Sequence, residues 1–211
     1  HKVNAMQLMD TLHPAARRVA AINTVVVQAD GSLLGMNNDG YGYIQSLRDA
    51  QPDWRGDAGP ALVMGAGGAA RAIVVALLDE GVPEVRLCNR TQEKAQALKD
   101  AFGDRVTVVP WADRNSAMAG VRLLVNTTTQ GMHGQPALDV ALDDLPAEAL
   151  VSDAIYIPLE TPLLDAARQR GHQTVNGLGM LLNQARPAFH AWFGVQPELT
   201  PGLIAAVQAT F

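Results

Sequence analysis

From Ala61 onward the chain alternates between two hydrophobic periods. Short, nearly continuous apolar runs occur at "ALVMG" (61–65), "EVRLCN" (84–89), "RVTVV" (105–109), "VRLLVN" (121–126), "ALVSDAI" (149–155) and "HQTV" (172–175). Runs of this length and β-branched content predict strands buried on both faces. Between them, "AARAIVVALLDEG" (69–81), "TQEKAQALKDAFG" (91–103) and "TPLLDAARQRG" (161–171) carry helical periodicity. Gly81 stands where a helix would end, and Thr91 and Thr161 stand where helices would be capped, with Pro162 in a first turn. Strand and helix in alternation predict an α/β fold built on a parallel sheet with helices on both faces.

The pattern before Ala61 is different. "NAMQLMDTLHPAARRVA" (4–20) predicts a helix with a break near His13-Pro14. Val25, Val26 and Val27, a turn at Asp30-Gly31, and Leu33-Leu34 predict a hairpin. "GYIQSLRDA" (42–50) predicts a short helix, and the turn-rich "QPDWRGDAGP" (51–60) marks a domain boundary. After Gly177 the pattern is helical to the end. It is interrupted at Pro187 and restarts at Thr200-Pro201.

Composition narrows the function classes. A chain of 211 residues can bury a sizeable core. A net charge of −5 argues against nucleic acid or an anionic membrane as the main partner. No apolar run reaches membrane-spanning length. The single cysteine, Cys88, cannot form an internal disulfide, so a reducing, cytoplasmic setting is expected. Histidines at 1, 13, 133, 172 and 190 show no metal-ligand spacing, and no metal is expected.

The chemistry enters at "VMGAGGAAR". Gly65, Gly67 and Ala70 fit G-x-G-x-x-G/A, placed between a strand and a helix. In that setting the motif is a dinucleotide fingerprint, and the fold class becomes a Rossmann-type doubly wound sheet. The first glycine permits the tight turn and the second lets a pyrophosphate approach the backbone. The helix N-terminus then presents free N–H groups to the anion. The plain alternative is a glycine-rich turn with no ligand. At the end of the second strand the chain reads "CNRT", with no acid to hold ribose hydroxyls. Arg90 there, with Lys94 one helical turn on, suits a 2′-phosphate and points to NADP, the alternative being two solvated surface charges.

Several stretches together resemble the NADP-dependent shikimate/quinate dehydrogenase family. They are "HK" (1–2), "AINT" (21–24), "NNDG" (37–40), "GAGGAAR" (65–71), "NRT" (89–91), "VNTTTQGM" (125–132), "DAIYIPLETPLL" (153–164) and "NGLGMLLNQA" (176–185). The resemblance implies a reversible NADPH-dependent reduction of 3-dehydroshikimate to shikimate in aromatic amino-acid biosynthesis. It also implies a preceding segment that this chain lacks. Residues 1–57 would then be the C-terminal part of the catalytic, substrate-holding domain. Residues 58–176 would be the NADP domain, and 177–211 helices returning to the catalytic domain. A monomer or homodimer is expected.

By the same resemblance, Lys2 and Asp39 form the catalytic pair. Oxidising a ring alcohol removes a hydride from carbon and a proton from oxygen, and a positioned side chain must take that proton. Which of the two carries it is left open by the sequence. Asn23, Tyr156 and Gln184 match substrate-contacting positions, with amides that can both donate and accept toward a polyol. Gly65, Ala66, Gly67, Gly68, Ala69, Asn89, Arg90, Thr91, Lys94, Thr127, Ala154, Gly177 and Met180 match cofactor positions, although Met180 would serve equally as core filler. The chain departs from the family pattern at Ala20, at Asn38 (N-T-D-G reads Asn37-Asn38-Asp39-Gly40), at Gln130 and at Asn176. The rivals are a paralogue acting on quinate or an aminated shikimate, and a catalytically silent NADP-binding fragment.

Overall fold

The computed structural model describes residues 2–211, so His1 of the His-Lys pair lies outside the described residues. A single 3-10 turn, Asn4–Leu8, leads to β1 (Thr11–Leu12) and then to α1 (Pro14–Val19). The helix expected over 4–20 is thus replaced by three short pieces. Met9 is extended, and Thr11 and Leu12 pair in parallel with Leu34 and Gly35. Proline at 14 takes the first turn of a helix, where its missing N–H costs no hydrogen bond. His13 caps that helix, its Nδ1 accepting from Ala15 N at 3.3 Å.

The hairpin forms as expected from β2 (Thr24–Val27) and β3 (Leu33–Met36), paired antiparallel, with Gly31 at φ +86 in the turn. These strands and β1 make a small sheet in the order β1-β3-β2. The next helix, α2 (Asp39–Ala50), begins three residues before the expected Gly42. Its first N–H is held by a side chain, Asp39 N donating to Asn37 Oδ1 at 3.0 Å.

The main sheet follows the predicted alternation. It runs β4 (Ala61–Met64), α3 (Gly68–Asp79), β5 (Val85–Cys88), α4 (Gln92–Phe102), β6 (Val106–Val109), β7 (Leu123–Asn126), β8 (Leu150–Asp153), α5 (Pro162–Gln169) and β9 (Thr174–Val175). All six strands are parallel, in the order β6-β5-β4-β7-β8-β9. Direction of winding reverses between β4 and β7, and such a switch point opens a crevice at the C-terminal strand ends. Every residue of β4, β7 and β8 is buried. Successive side chains divide between two cores: Ala61 and Val63 pack with Ile73, Leu77 and Tyr43, while Leu62 and Met64 pack with Leu124, Leu163 and Leu164. Each fully buried aliphatic side chain stabilises by about 1.5–3 kcal/mol relative to exposure.

Thr161 caps α5 as expected, its hydroxyl accepting from Leu164 N at 3.3 Å. Thr91 occupies the N-cap of α4, but its side chain makes no capping bond. Asn89 Nδ2 instead donates to Thr91 O at 2.7 Å and shapes this turn.

The chain ends in α6 (Gly177–Phe193) and α7 (Pro201–Gln208). Pro187 does not interrupt α6, as its position had suggested. The helix is held on both sides of the proline by tertiary contacts. Asn183 Nδ2 donates to Asp49 Oδ2 at 2.9 Å, and Trp192 Nε1 donates to Val25 O at 3.0 Å. Helices α2 and α6 cross almost backbone to backbone. A Cβ on Gly42 would stand 2.7 Å from both Gln184 N and Met180 O, so only glycine allows this approach. That crossing sets where the side chains of the two helices meet.

Candidate active site

Four polar side chains that are distant in sequence converge where the small sheet meets α2 and α6. Asn23 sits just before β2, Asp39 opens α2, and Gln184 lies on α6. Lys2 is delivered by backbone pairing, since its carbonyl accepts from Ile22 N at 3.0 Å. Lys2 Nζ donates to Asp39 Oδ2 at 3.1 Å. Asn23 Nδ2 donates to Asp39 Oδ1 at 2.8 Å and reaches Gln184 Oε1 at 3.5 Å. Both carboxylate oxygens of Asp39 are therefore engaged. The Asp39 side chain is only 10% exposed while that of Lys2 is 57% exposed. The carboxylate is fixed in the protein and the ammonium faces outward, with two of its three N–H groups free of Asp39.

The two asparagines before Asp39, Asn37 and Asn38, support this cluster. Asn37 Nδ2 donates to Ala21 O at 3.1 Å. Asn38 N donates to Asn23 Oδ1 at 3.1 Å, and Asn38 Nδ2 to Thr24 Oγ1 at 3.0 Å. Asn23 is thereby oriented with its amide N–H groups toward Asp39 and Gln184.

The second group of predicted residues gathers at the switch point. Gly65 has φ +110, and a Cβ there would collide with Thr127 Oγ1, so both backbone and neighbour demand glycine. Thr127 in turn donates to Met64 O through its N–H at 2.8 Å and its hydroxyl at 2.7 Å, locking β4 to β7 at the crevice. Above Gly67 and Gly68 the space is open: a Cβ on either would meet nothing within 4 Å. Gly67 caps α3 without a side-chain bond, leaving the first N–H groups of the helix facing that space. A bare, positively polarised helix end under an open cradle fits a pyrophosphate. Arg90 and Lys94 are exposed beside it, and among the described residues neither is held in an ion pair. The residues present therefore fit NADP.

A cavity of about 220 Å³ continues from this loop, lined by Ala69, Thr127, Thr128, Ala154, Tyr156 and Ile157 among others. Tyr156 lines this cavity and packs its ring at a tilt against Phe211, centroids 5.5 Å apart, and among the described residues it has no hydrogen bond to the Lys2–Asp39 cluster. Gly177 N donates to Ile155 O at 2.8 Å, so α6 starts at the cavity's edge. Gly177 and Gln184 lie seven positions apart on α6. That spacing puts them on one face about 10 Å apart along the axis, which links cavity and cluster on one helix. The Met180 side chain is 8% exposed and packs in the core with Tyr43 and Leu47, so packing alone accounts for it.

Sequence reasoning gave Asp153 and Asn126 no role and read Thr161 only as a helix cap. Asp153 ends β8 and is 1% exposed. Burial holds its carboxyl above the ordinary aspartate range, against three bonds from Thr161, Ile155 and Asn126 that work the other way. The available signal was a carboxylate closing an apolar strand in "LVSDAI". Gln130, the unusual residue of its loop, has a buried Oε1 with no partner among the described residues. Cys88 is buried, and desolvation pushes its thiol up to about 11, so it is an inert packing residue.

Residues 55–133 match the family described as shikimate / quinate 5-dehydrogenase. A relative from Paramagnetospirillum magneticum, named shikimate dehydrogenase (NADP(+)), is 53% identical over 207 residues, covering 98% of this chain and 75% of the relative. The structure of a Thermus thermophilus shikimate 5-dehydrogenase with NADP(H) and shikimate matches with TM-score 0.84 and 36% identity, over 99% of this chain and 75% of that one. A quinate dehydrogenase from Corynebacterium glutamicum in complex with NAD matches with TM-score 0.87 and 30% identity, over 100% of this chain and 74% of that one.

Proposed function

The chain belongs to the shikimate/quinate dehydrogenase family, and from that premise we propose how its residues divide the work of the reaction. The activity is that of an NADP-dependent oxidoreductase on a ring CH–OH group, the reversible reduction of 3-dehydroshikimate to shikimate. When bound, NADP supplies the acceptor or donor of hydride. The Gly65–Gly68 loop and the start of α3 hold the phosphates, and Arg90 with Lys94 neutralises a 2′-phosphate. Thr127, Ala154 and Tyr156 wall the cavity at the reacting end.

Lys2 is assigned the proton. In the oxidative direction the ring hydroxyl must lose one, and Lys2 Nζ is the exposed, outward-facing member of the pair. Asp39, buried and bonded through both oxygens, orients Lys2, which takes the proton as the neutral amine and returns it as the ammonium in the reductive direction. Asn23 and Gln184 bind the remaining hydroxyls, each amide offering both donor and acceptor. The observation that carries this reading is the convergence of Lys2, Asn23, Asp39 and Gln184 in one hydrogen-bonded cluster.

We assign residues 1–57 and 177–211 to the substrate-holding unit and 58–176 to the NADP unit, with the substrate between them. We expect a monomer or homodimer, and a reducing, cytoplasmic setting suits the single buried thiol. Steady-state rates with shikimate and quinate, each with NADP and NAD, test the function. The expected result is a preference for shikimate with NADP. A preference for quinate with NAD would identify a paralogous activity, and NADPH binding without turnover would identify a silent binding protein.

A further inference from the structure

Two of the sequence blocks, "VNTTTQGM" and "DAIYIPLETPLL", are left mostly unused by the reaction as derived above. One carboxylate joins them. Asp153 Oδ1 accepts from Asn126 Nδ2 and from Ile155 N, both at 3.1 Å, and Oδ2 accepts from Thr161 Oγ1 at 2.8 Å. Each partner fixes a different segment. Asn126 holds the loop after β7: its Oδ1 accepts from Thr128 N at 2.9 Å and Thr128 Oγ1 at 2.8 Å, and its Nδ2 donates to Gln130 O at 3.1 Å. Ile155 begins the loop after β8. Thr161 caps α5 and closes that loop at its far end.

These two loops, with Ala69, form the walls of the 220 Å³ cavity. We propose that Asp153 is a positioning residue of the reaction, setting the separation of the 127–130 and 154–157 loops and hence the shape of the cavity that receives the cofactor's reacting end. Asp153 is 1% exposed and touches neither ligand; it acts through Asn126, Ile155 and Thr161. Among the described residues it is the one side chain bonded to all three segments. Removing it strands three buried donors at once, and each must find a new partner by moving. The phosphate loop and Arg90 are on other elements and keep their grip.

The proposal rests on the reading that this cleft binds NADP, and the test separates the two. In the intact protein, NADPH affinity is measured by fluorescence titration, and kcat for shikimate oxidation is normalised to NADPH-binding sites. Asp153→Ala should lower the normalised kcat on the order of 100-fold, the size expected for a misplacement of about 1 Å at a reacting centre. NADPH affinity should change by less than about threefold, because the anchoring groups are intact. Asp153→Asn keeps the shape and two acceptor bonds and should restore most of the rate. A residue that only stabilised the fold would lower melting temperature and the number of binding sites, leaving kcat per site unchanged, and that result would overturn the proposal. Equal loss in the Ala and Asn variants would also overturn it, since charge rather than placement would then be decisive. If the Ala variant does not fold, Thr161→Val removes one of the three links. A several-fold drop in normalised kcat is expected, and an unchanged value would overturn the proposal. Wild-type protein that fails to bind NADPH would overturn the functional reading and this proposal together, whereas active wild type with an unaffected Asp153→Ala would overturn the proposal alone.

Discussion

Gly65 and Gly67 belong to the same loop but are glycines for different reasons. At Gly65 the left-handed φ and the Thr127 hydroxyl both exclude a side chain, so Gly65→Ala strains the fold. At Gly67, φ is −88 and a Cβ would meet only open space. Gly67→Ala should therefore leave stability within about 0.5 kcal/mol of wild type while weakening NADPH binding, by placing a methyl where phosphate must approach. Thermal melts paired with NADPH titration check both halves; a parallel loss of stability would show that Gly67 is needed for the fold instead. Asp153 offers a different residue-scale test. Its carboxyl titrates above the ordinary aspartate value in the folded protein, so the folded state holds its proton more tightly than the unfolded one. Its contribution to stability is then fully present below the ordinary value and is lost as pH rises through the raised one. The stability of Asp153→Asn relative to wild type should accordingly increase from acid to neutral pH in chemical denaturation. A decrease would mean that the three hydrogen bonds outweigh burial. This residue was hard to read from sequence, because a carboxylate ending a strand looks like an ordinary turn residue. What distinguishes it is a pair of partners 8 and 27 positions away. Lys2, Asn23, Asp39 and Gln184, by contrast, were named by their motifs, and the fold brings them together.

At the scale of elements, strands and helices after Ala61 were legible because burial on both faces leaves apolar runs that no loop would carry. The segment at 4–20 was not. Its Ala- and Met-rich composition favours helix, but the pairing of Thr11 and Leu12 with β3 overrides that weak local preference. Pro187 misled in the opposite direction, since contacts of α6 with α2 and β2 hold the helix across it. The α2–α6 crossing is the element-scale feature on which the substrate side depends. Gly42→Ala would force a methyl to within 2.7 Å of the Gln184 and Met180 backbone. A loss of about 1–3 kcal/mol in urea denaturation is expected, the usual range for overpacking. Because Gln184 rides on that crossing, KM for shikimate should rise as well, with NADPH affinity little changed. A variant as stable as wild type would show that the helices can separate at no cost.

For the whole molecule, the account makes a division of labour. Under the proposed assignment, the six-stranded sheet and its glycine loop bind the cofactor, while the small sheet, α2 and α6 hold the alcohol and handle its proton. The Rossmann half of this division was visible from the glycine loop and "CNRT". The other half was visible only through the order of the motifs along the chain, because no local pattern announces that residue 2 meets residue 39. The test is Lys2→Ala in the intact protein, with kcat for shikimate oxidation and the NADPH dissociation constant measured on the same preparation. The account predicts a fall in kcat of about 100-fold or more, the scale of general acid–base catalysis, with NADPH binding nearly unchanged. Equal loss of turnover and cofactor binding, or turnover that survives, would contradict it.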